Sequence, residues 1–294
     1  MSNQDVYAKV NERILAKIEA GVCPWRHPWS TFAPQNAISK KPYRGINPFL
    51  LDNMAYQDHR WLTFQQAKEL GGNVKKGEKA SMIVFWTKTG RRKGVNDEGE
   101  SVTIIKEYAA PIVRMIYVFN AEQCEGLKLP AVKPFDNAEL PTVQSIIDNM
   151  PNPPKFLTAG KAAYAPKLDT VFMPALEKFI SSEAHGSVLY HELIHSTGHP
   201  SRLGRFKFDE PHARFGSESY SKEELCAEMG AAMLCAVTGI ENEATFSNSA
   251  AYLDGWSKRI KEDPYMFIGA ASAAQKAADC ILGIESTYDS VQAE

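Results

Sequence analysis

Apolar residues recur at helical spacing from the start of the chain: Val6, Val10, Ile14 with Leu15, and Ile18. This 3.6-residue period predicts a first helix, stopped by Gly21 and Pro24. Residues 23–48 lose the period and are rich in proline and aromatic residues. A short helix is expected at 49–56 and another at 63–70, the second with Thr63 as N-cap and Gly71-Gly72 as its stop. Residues 80–87 and 111–119 are rich in β-branched and aromatic side chains, which predicts strands. A third strand is expected at about 101–108, with Gly90-Arg91-Arg92-Lys93-Gly94 as a loop. Pro130, Pro134 and Pro141 mark 126–141 as a linker. Beyond it the pattern turns mainly helical, at roughly 183–197, 221–238, 249–262 and 266–283, while 163–174 looks extended. The expected fold class is α+β, with a small α+β domain over 1–130 and a mainly helical domain with a short sheet over 142–294.

Composition narrows the function classes. Among 294 residues no run of 18 or more is apolar, so no membrane span is expected. The first twenty residues are polar and amphipathic and lack the features of a signal peptide, so a cytoplasmic location is expected. Five scattered cysteines without a C-x-x-C pair argue for free thiols and against a cysteine metal site. Any metal must therefore use histidine and carboxylate. The net charge of −2 conceals an asymmetry. Residues 1–130 carry 19 Lys and Arg against 13 Asp and Glu, or +6, and the remainder carries 14 against 22, or −8. A basic half joined to an acidic half points to a polyanion partner for the first.

The candidate metal chemistry lies in His191-Glu192-Leu193-Ile194-His195. Positions i and i+4 share one helix face, so the two histidines can hold one ion, and Glu192 is placed to take a proton from a water on that ion. The plain alternative is two ordinary histidines on a helix. A third ligand is required. His199 fits poorly, because the longer H-E-x-x-H-x-x-G-x-x-H pattern requires histidine at 201, where this chain has Ser201. The segment Tyr220–Glu228 resembles the glutamate-ligand class of zinc peptidases. That resemblance implies Glu224 as ligand and Glu228 as the acid that orients a ligand histidine, with Glu228 the alternative ligand. Ser221-x-x-Glu224 also reads as a helix-capping box. Gly230-Ala231-Ala232 would let the second helix pack closely on the first. Zinc is the expected metal, although two histidines and a glutamate also accept ions such as Mn2+.

The basic half interleaves cations with aromatic planes, the combination that binds single-stranded nucleic acid. Candidate contacts are Trp25, Arg26, Trp29, Lys40, Lys41, Tyr43, Arg44, Lys75, Lys76, Lys79, Arg91, Arg92 and Lys93. Trp61, Phe64, Phe85 and Trp86 read equally well as core, and for Phe64 and Phe85 core is the stronger expectation.

Several motifs together resemble the ArdC-type antirestriction proteins of conjugative plasmids, with relatives fused to plasmid primases. They are Pro24-Trp25-x-x-Pro28-Trp29, Tyr43-Arg44-Gly45-Ile46-Asn47, Arg60-Trp61-Leu62-Thr63-Phe64, Gly71-Gly72-x-Val74-x-Lys76-Gly77-Glu78, Tyr164-x-Pro166-x-x-Asp169-x-Val171-x-Met173-Pro174, the histidine motif with Arg202-Leu203, and Tyr220-x-x-Glu223-Glu224-Leu225-x-Ala227-Glu228. The resemblance implies an N-terminal single-stranded-DNA-binding domain and a C-terminal zincin-like peptidase domain. It further implies protection of incoming plasmid DNA from host restriction, and an edge strand ending at Met173-Pro174 that pairs with a peptide substrate, such as a host restriction enzyme or another protein. Two rival expectations stand beside it. One is a DNA-binding protein that blocks nucleases by occupancy, its metal site structural or vestigial. The other is a general metallopeptidase that carries a basic domain.

Overall fold

The structure is a computed structural model that describes residues 2–20, 23–24, 34–51, 56, 58–95, 101–131, 142–179, 181–206, 218–240 and 250–284. Helix α1, Asn3–Glu19, starts at a capping box in which Ser2 and Asp5 satisfy each other's backbone amides, and it buries Val6, Val10, Ile14 and Ile18. A short helix α2 spans Asn47–Leu50. Helix α3, Phe64–Glu69, begins at the expected Thr63, whose hydroxyl accepts from the Gln66 amide while the Gln66 side chain returns to Thr63.

Around these helices runs a four-stranded sheet in the order β1-β2-β5-β4, built from β1 (Gln35–Asn36), β2 (Arg60–Leu62), β5 (Ser101–Asn120) and β4 (Ser81–Val95). Strands β3 (Asn73–Val74) and β6 (Cys124–Glu125) form a separate pair. The expected loop at 90–94 is not a loop. Strands β4 and β5 form one long antiparallel hairpin in which Gly90, Arg91, Arg92, Lys93 and Gly94 pair with residues 102–106, after a register shift between Thr87 and Thr89. Two glycines and three cations suppress the strand signal locally, but an antiparallel partner supplies the ladder regardless of it. Asn3 and Asn47 extend this sheet with side-chain amides. Asn3 exchanges bonds with Pro111 O and Val113 N, and Asn47 with both backbone groups of Val84.

The second half holds α4 (Val143–Asn149), a three-stranded sheet, and helices α5 (Ser182–Ser196), α6 (Glu218–Thr238), α7 (Ala250–Glu262) and α8 (Met266–Leu282). The extended segment 163–174 is a hairpin rather than one strand. Its arms are β8 (Ala163–Ala165) and β9 (Thr170–Met173), joined through Asp169 at φ 45°. Strand β7 (Lys155–Thr158) pairs in parallel with the other side of β9, so the sheet order is β7-β9-β8. The strand ending at Met173 is thus central, and the edges on either side of it are β7 and β8. Period-2 patterning cannot distinguish a central from an edge strand when each has only three or four residues.

Both halves contribute to one buried cluster. Val10, Ile14, Phe49, Val84 and Val113 join Leu193, Leu225, Phe267 and Ala274 in it. Phe49 meets Phe267 edge to face at 6.3 Å, and Tyr7 meets Tyr265 at 4.9 Å. Asn11 donates to Pro264 O, and the Gly45 amide donates to Gln275. Among the described residues, no helix is long and apolar enough to cross a membrane.

Candidate metal centre

Helix α5 begins at Ser181, whose hydroxyl accepts from the Ala184 amide. It ends where Gly198 closes on the Phe206 ring, so tightly that a Cβ at 198 would lie 2.6 Å from Cε2. Along its last two turns Leu189, Tyr190, Leu193 and Ile194 face the core. His191 and His195 share the opposite, less buried face, and Glu192 between them is buried. Helix α6 packs on α5 through Gly230, where a Cβ would stand 2.5 Å from Ile194 Cδ1, as the small residues at 230–232 predict.

This packing brings Glu224 to the histidines. His191 Nε2 and His195 Nε2 lie 3.2 Å apart, Glu224 Oε2 is 3.6 Å from the first, and Oε1 is 3.5 Å from the second. Two donors each about 2.1 Å from one ion, at the tetrahedral angle, are about 3.4 Å apart. Each of these separations is of that size, although the two from Glu224 run to different carboxylate oxygens. With one ligand atom from each residue, the three side chains form a triangle whose corners lie within 4.8 Å of one another. Among the described residues, His191, His195 and Glu224 are the group whose ligand atoms can converge on one ion. Ser221 lies within α6, so the capping-box alternative for Glu224 does not hold.

The carboxylate against His195 is Glu223. Its Oε1 lies 3.2 Å from His195 Nδ1, while Glu228, expected to orient a ligand histidine, is buried one turn beyond Glu224. A carboxylate only accepts, so Nδ1 carries the proton in neutral His195 and Nε2 offers its lone pair to the triangle. Burial alone would lower the pKa of His195, but the bond to Glu223 and the charges of Glu223, Glu224 and Glu192 outweigh it and hold the imidazole above its usual value. Burial would likewise raise Glu223, yet the His195 and Arg205 donors hold its carboxyl below the usual range.

His199 lies beyond the helix, its Nδ1 2.7 Å from the Ser201 hydroxyl. Nearby, the almost fully buried Arg202 grips Asp169 with two nitrogens and donates to Ser196 O and Asn152 O. Tyr164 donates to Asp169 at 2.8 Å. This knot ties the β8–β9 hairpin to the end of α5. Tyr164, Asp169, Arg202 and Glu223 stand in the motifs quoted above, but linear spacing gives them no role. Arg205 carries no sequence signal at all.

The structure distributes the nucleic-acid candidates unevenly. Trp25, Arg26 and Trp29 lie outside the described residues, as do the side chains of Arg91, Arg92 and Lys93. Lys40, Lys41, Lys75, Lys76 and Lys79 are exposed, with Lys75 donating to Glu122 O. Tyr43 is partly buried against Leu51, Trp61, Ile83 and Val118, and burial raises its pKa. Arg44, with its side chain 38% exposed, is paired through one nitrogen with the buried Asp279 of α8. Trp61 is core, whereas Phe64, expected to be core, is 50% exposed with Lys68 Nζ 4.8 Å from its ring centroid. Phe64 is the first residue of the short helix α3, in which Ala67 is the buried residue.

A histidine-motif helix, a packed second helix that supplies a glutamate, and a short sheet ending in an antiparallel edge define the C-terminal part as a zincin-like metallopeptidase domain, a class built around a divalent metal. Comparison with known proteins agrees and extends this. A family model described as the N-terminal domain of anti-restriction factor ArdC matches residues 4–119, and one described as zincin-like metallopeptidase matches residues 149–273. The metal-free crystal structure of antirestriction protein ArdC from plasmid R388 is 37% identical. That match covers 94% of this chain and 96% of that one at a TM-score of 0.71. The Mn(II)-bound structure of the same protein is 35% identical over 96% and 99%, at 0.74. DNA primase TraC of Escherichia coli is 34% identical over 95% of this chain, which spans only 27% of that protein's length. Uncharacterized protein y4eC of Sinorhizobium fredii (strain NBRC 101917 / NGR234) is 32% identical over 94% of this chain and 91% of its own. The chain belongs to the ArdC antirestriction family.

Proposed function

We propose that this chain is an antirestriction protein whose basic part, residues 1–130, binds single-stranded DNA and whose acidic part, residues 142–294, is a metal-dependent peptidase. In this reading it protects incoming plasmid DNA from host restriction. The observation that carries the reading is the convergence of His191, His195 and Glu224, each offering one ligand atom within 4.8 Å of the other two. These three residues would hold a divalent ion, zinc or manganese, and leave a fourth position open. Such an ion polarises a peptide carbonyl and acidifies water. Glu192, buried on the same helix next to His191, takes the proton from the attacking water and returns it to the leaving amine. Glu223 holds the His195 Nδ1 proton. Strand β8, an edge of the sheet among the described residues and packed near α5, would pair with an extended segment of a protein substrate such as a host restriction enzyme.

The exposed lysines Lys40, Lys41, Lys75, Lys76 and Lys79 in the basic part support DNA binding. They neutralise phosphates without reading sequence, so affinity should fall steeply with salt. The test is transfer of unmodified plasmid DNA into a restricting host that expresses wild-type protein or Glu192→Ala at matched levels. Metal binding and single-strand binding are measured alongside. Loss of protection, with both binding activities kept, is the expected result. Full protection by the variant would remove peptide hydrolysis from the function and leave DNA occupancy as the mechanism.

A further inference from the structure

Arg205 lies outside both metal-site helices, in the segment that follows the end of α5, yet its guanidinium reaches both of them. NH1 donates to Thr197 Oγ1 at 2.7 Å and NH2 to Ile194 O at 3.0 Å, at the C-terminal turn of α5. Nε donates to Glu223 Oε2 at 3.0 Å, and NH2 also donates to Glu223 Oε1 at 2.8 Å. Oε1 is the same oxygen that faces His195 Nδ1. The contacts close a ring that runs from α5 through Arg205 to Glu223 on α6 and back to His195 on α5.

Three features distinguish this ring from a tie that only holds two helices together. It ends on a ring nitrogen whose partner nitrogen belongs to the donor triangle, so its geometry is transmitted to the imidazole plane. Both oxygens of Glu223 are engaged by the fork, which keeps this carboxylate, adjacent to Glu224, from swinging over to become a ligand itself. The fork also needs the planar guanidinium, since a lysine cannot serve two carboxylate oxygens, a hydroxyl and a carbonyl at once.

We propose that Arg205 and Glu223 act as a positioning pair for the metal centre, with Arg205 fixing Glu223 and Glu223 fixing the orientation and tautomer of His195. The inference rests on the metal-site reading above and concerns which residues beyond the ligands set its affinity. Partners that orient a ligand histidine are generally worth about 10–100-fold in metal affinity.

The test uses the full chain with Mn2+ as probe, its free concentration read by electron paramagnetic resonance. The tautomer of His195 is read by nitrogen NMR of the metal-free protein at about pH 8. Glu223→Ala should weaken Mn2+ binding by about 10–100-fold. It should also convert His195 from the Nδ1–H form to a mixture of tautomers, which loss of a purely structural contact would not do. Arg205→Lys should weaken binding less, and the double variant no more than Glu223→Ala alone, because Arg205 acts through Glu223. Affinity within twofold of wild type, an unchanged tautomer in Glu223→Ala, or additive effects in the double variant would each overturn the pairing. Should Glu223→Ala not fold, Arg205→Lys carries the test by the same twofold criterion. His191→Ala is the control on the metal site itself. If wild type binds no Mn2+, the metal-site reading fails, and the tautomer result still decides the pairing.

Discussion

At Gly230 the two metal-site helices touch, and the missing side chain sets how closely they approach. An alanine there gains about 1 kcal/mol of helix propensity. Its Cβ, however, would meet three atoms of Ile194 at 2.5–3.1 Å, and Ile194 is fully buried and stiff at χ1. Overpacking of this kind costs about 1–3 kcal/mol, so Gly230→Ala should lower the melting temperature and Ile194→Val should restore part of it. Mn2+ affinity should fall with it, since α6 carries Glu224. An unchanged melt would mean that Ile194 turns aside freely. Asp169 acts through charge instead. Burial pushes its carboxyl up, but the donors from Arg202 and Tyr164 outweigh that and hold it below its ordinary 3.8. The folded pKa is the lower one, so the stabilisation is complete above the unfolded value and is lost as pH falls below about 4. Melts between pH 3 and 7 should show this acid limb, and Asp169→Asn should flatten it. The histidine motif is legible at this scale because i,i+4 spacing places two histidines on one helix face without help from the rest of the fold. Arg205 and Glu223 were not, because nothing in the separation of 205 from 195 or 223 says that the segment after α5 turns back on its own helix.

Among the elements, those whose signals are local were the ones the sequence revealed. Helices α1, α3, α5, α6, α7 and α8 fall within a few residues of their expected spans, because apolar period and caps lie within the element itself. Thr63 illustrates this: with both halves of its capping box formed, Thr63→Ala should cost about 0.5–2 kcal/mol in urea unfolding. A loss below that range would show that α3 is held by its packing on β2 and β5 instead. Elements that depend on a partner were missed. The stretch at 90–94 is a strand only because 102–106 lies beside it. The segment 163–174 folds as two strands because Asp169 adopts a left-handed turn conformation, and Arg202, 33 residues away, clamps that turn.

For the whole molecule, counting cations located a basic half but could not show which cations are already taken. Arg44, one of the candidate DNA contacts, is paired with Asp279, 235 residues away. Asp279 is 2% exposed and Arg44 38%, and Gln275 also donates to Asp279, so removing Arg44 should cost about 1–3 kcal/mol. Arg44→Ala should therefore destabilise the protein while changing single-strand affinity little in whatever stays folded. Replacing Lys75, Lys76 and Lys79 with glutamine should do the reverse, weakening binding and lowering the salt slope by about 0.7 per lost phosphate contact. Salt titrations of the two variants, beside their melts, separate a latch from a contact.

The common core has a genetic consequence. Val10, Ile14, Phe49 and Phe267 are packed in one cluster to which both halves contribute. A random-mutagenesis screen for loss of DNA binding and a separate screen for loss of metal binding should both recover these four positions, although none of them carries a charge or a ligand. Alleles that separate the two phenotypes would then be confined to the surface lysines on one side and the histidine–glutamate cluster on the other.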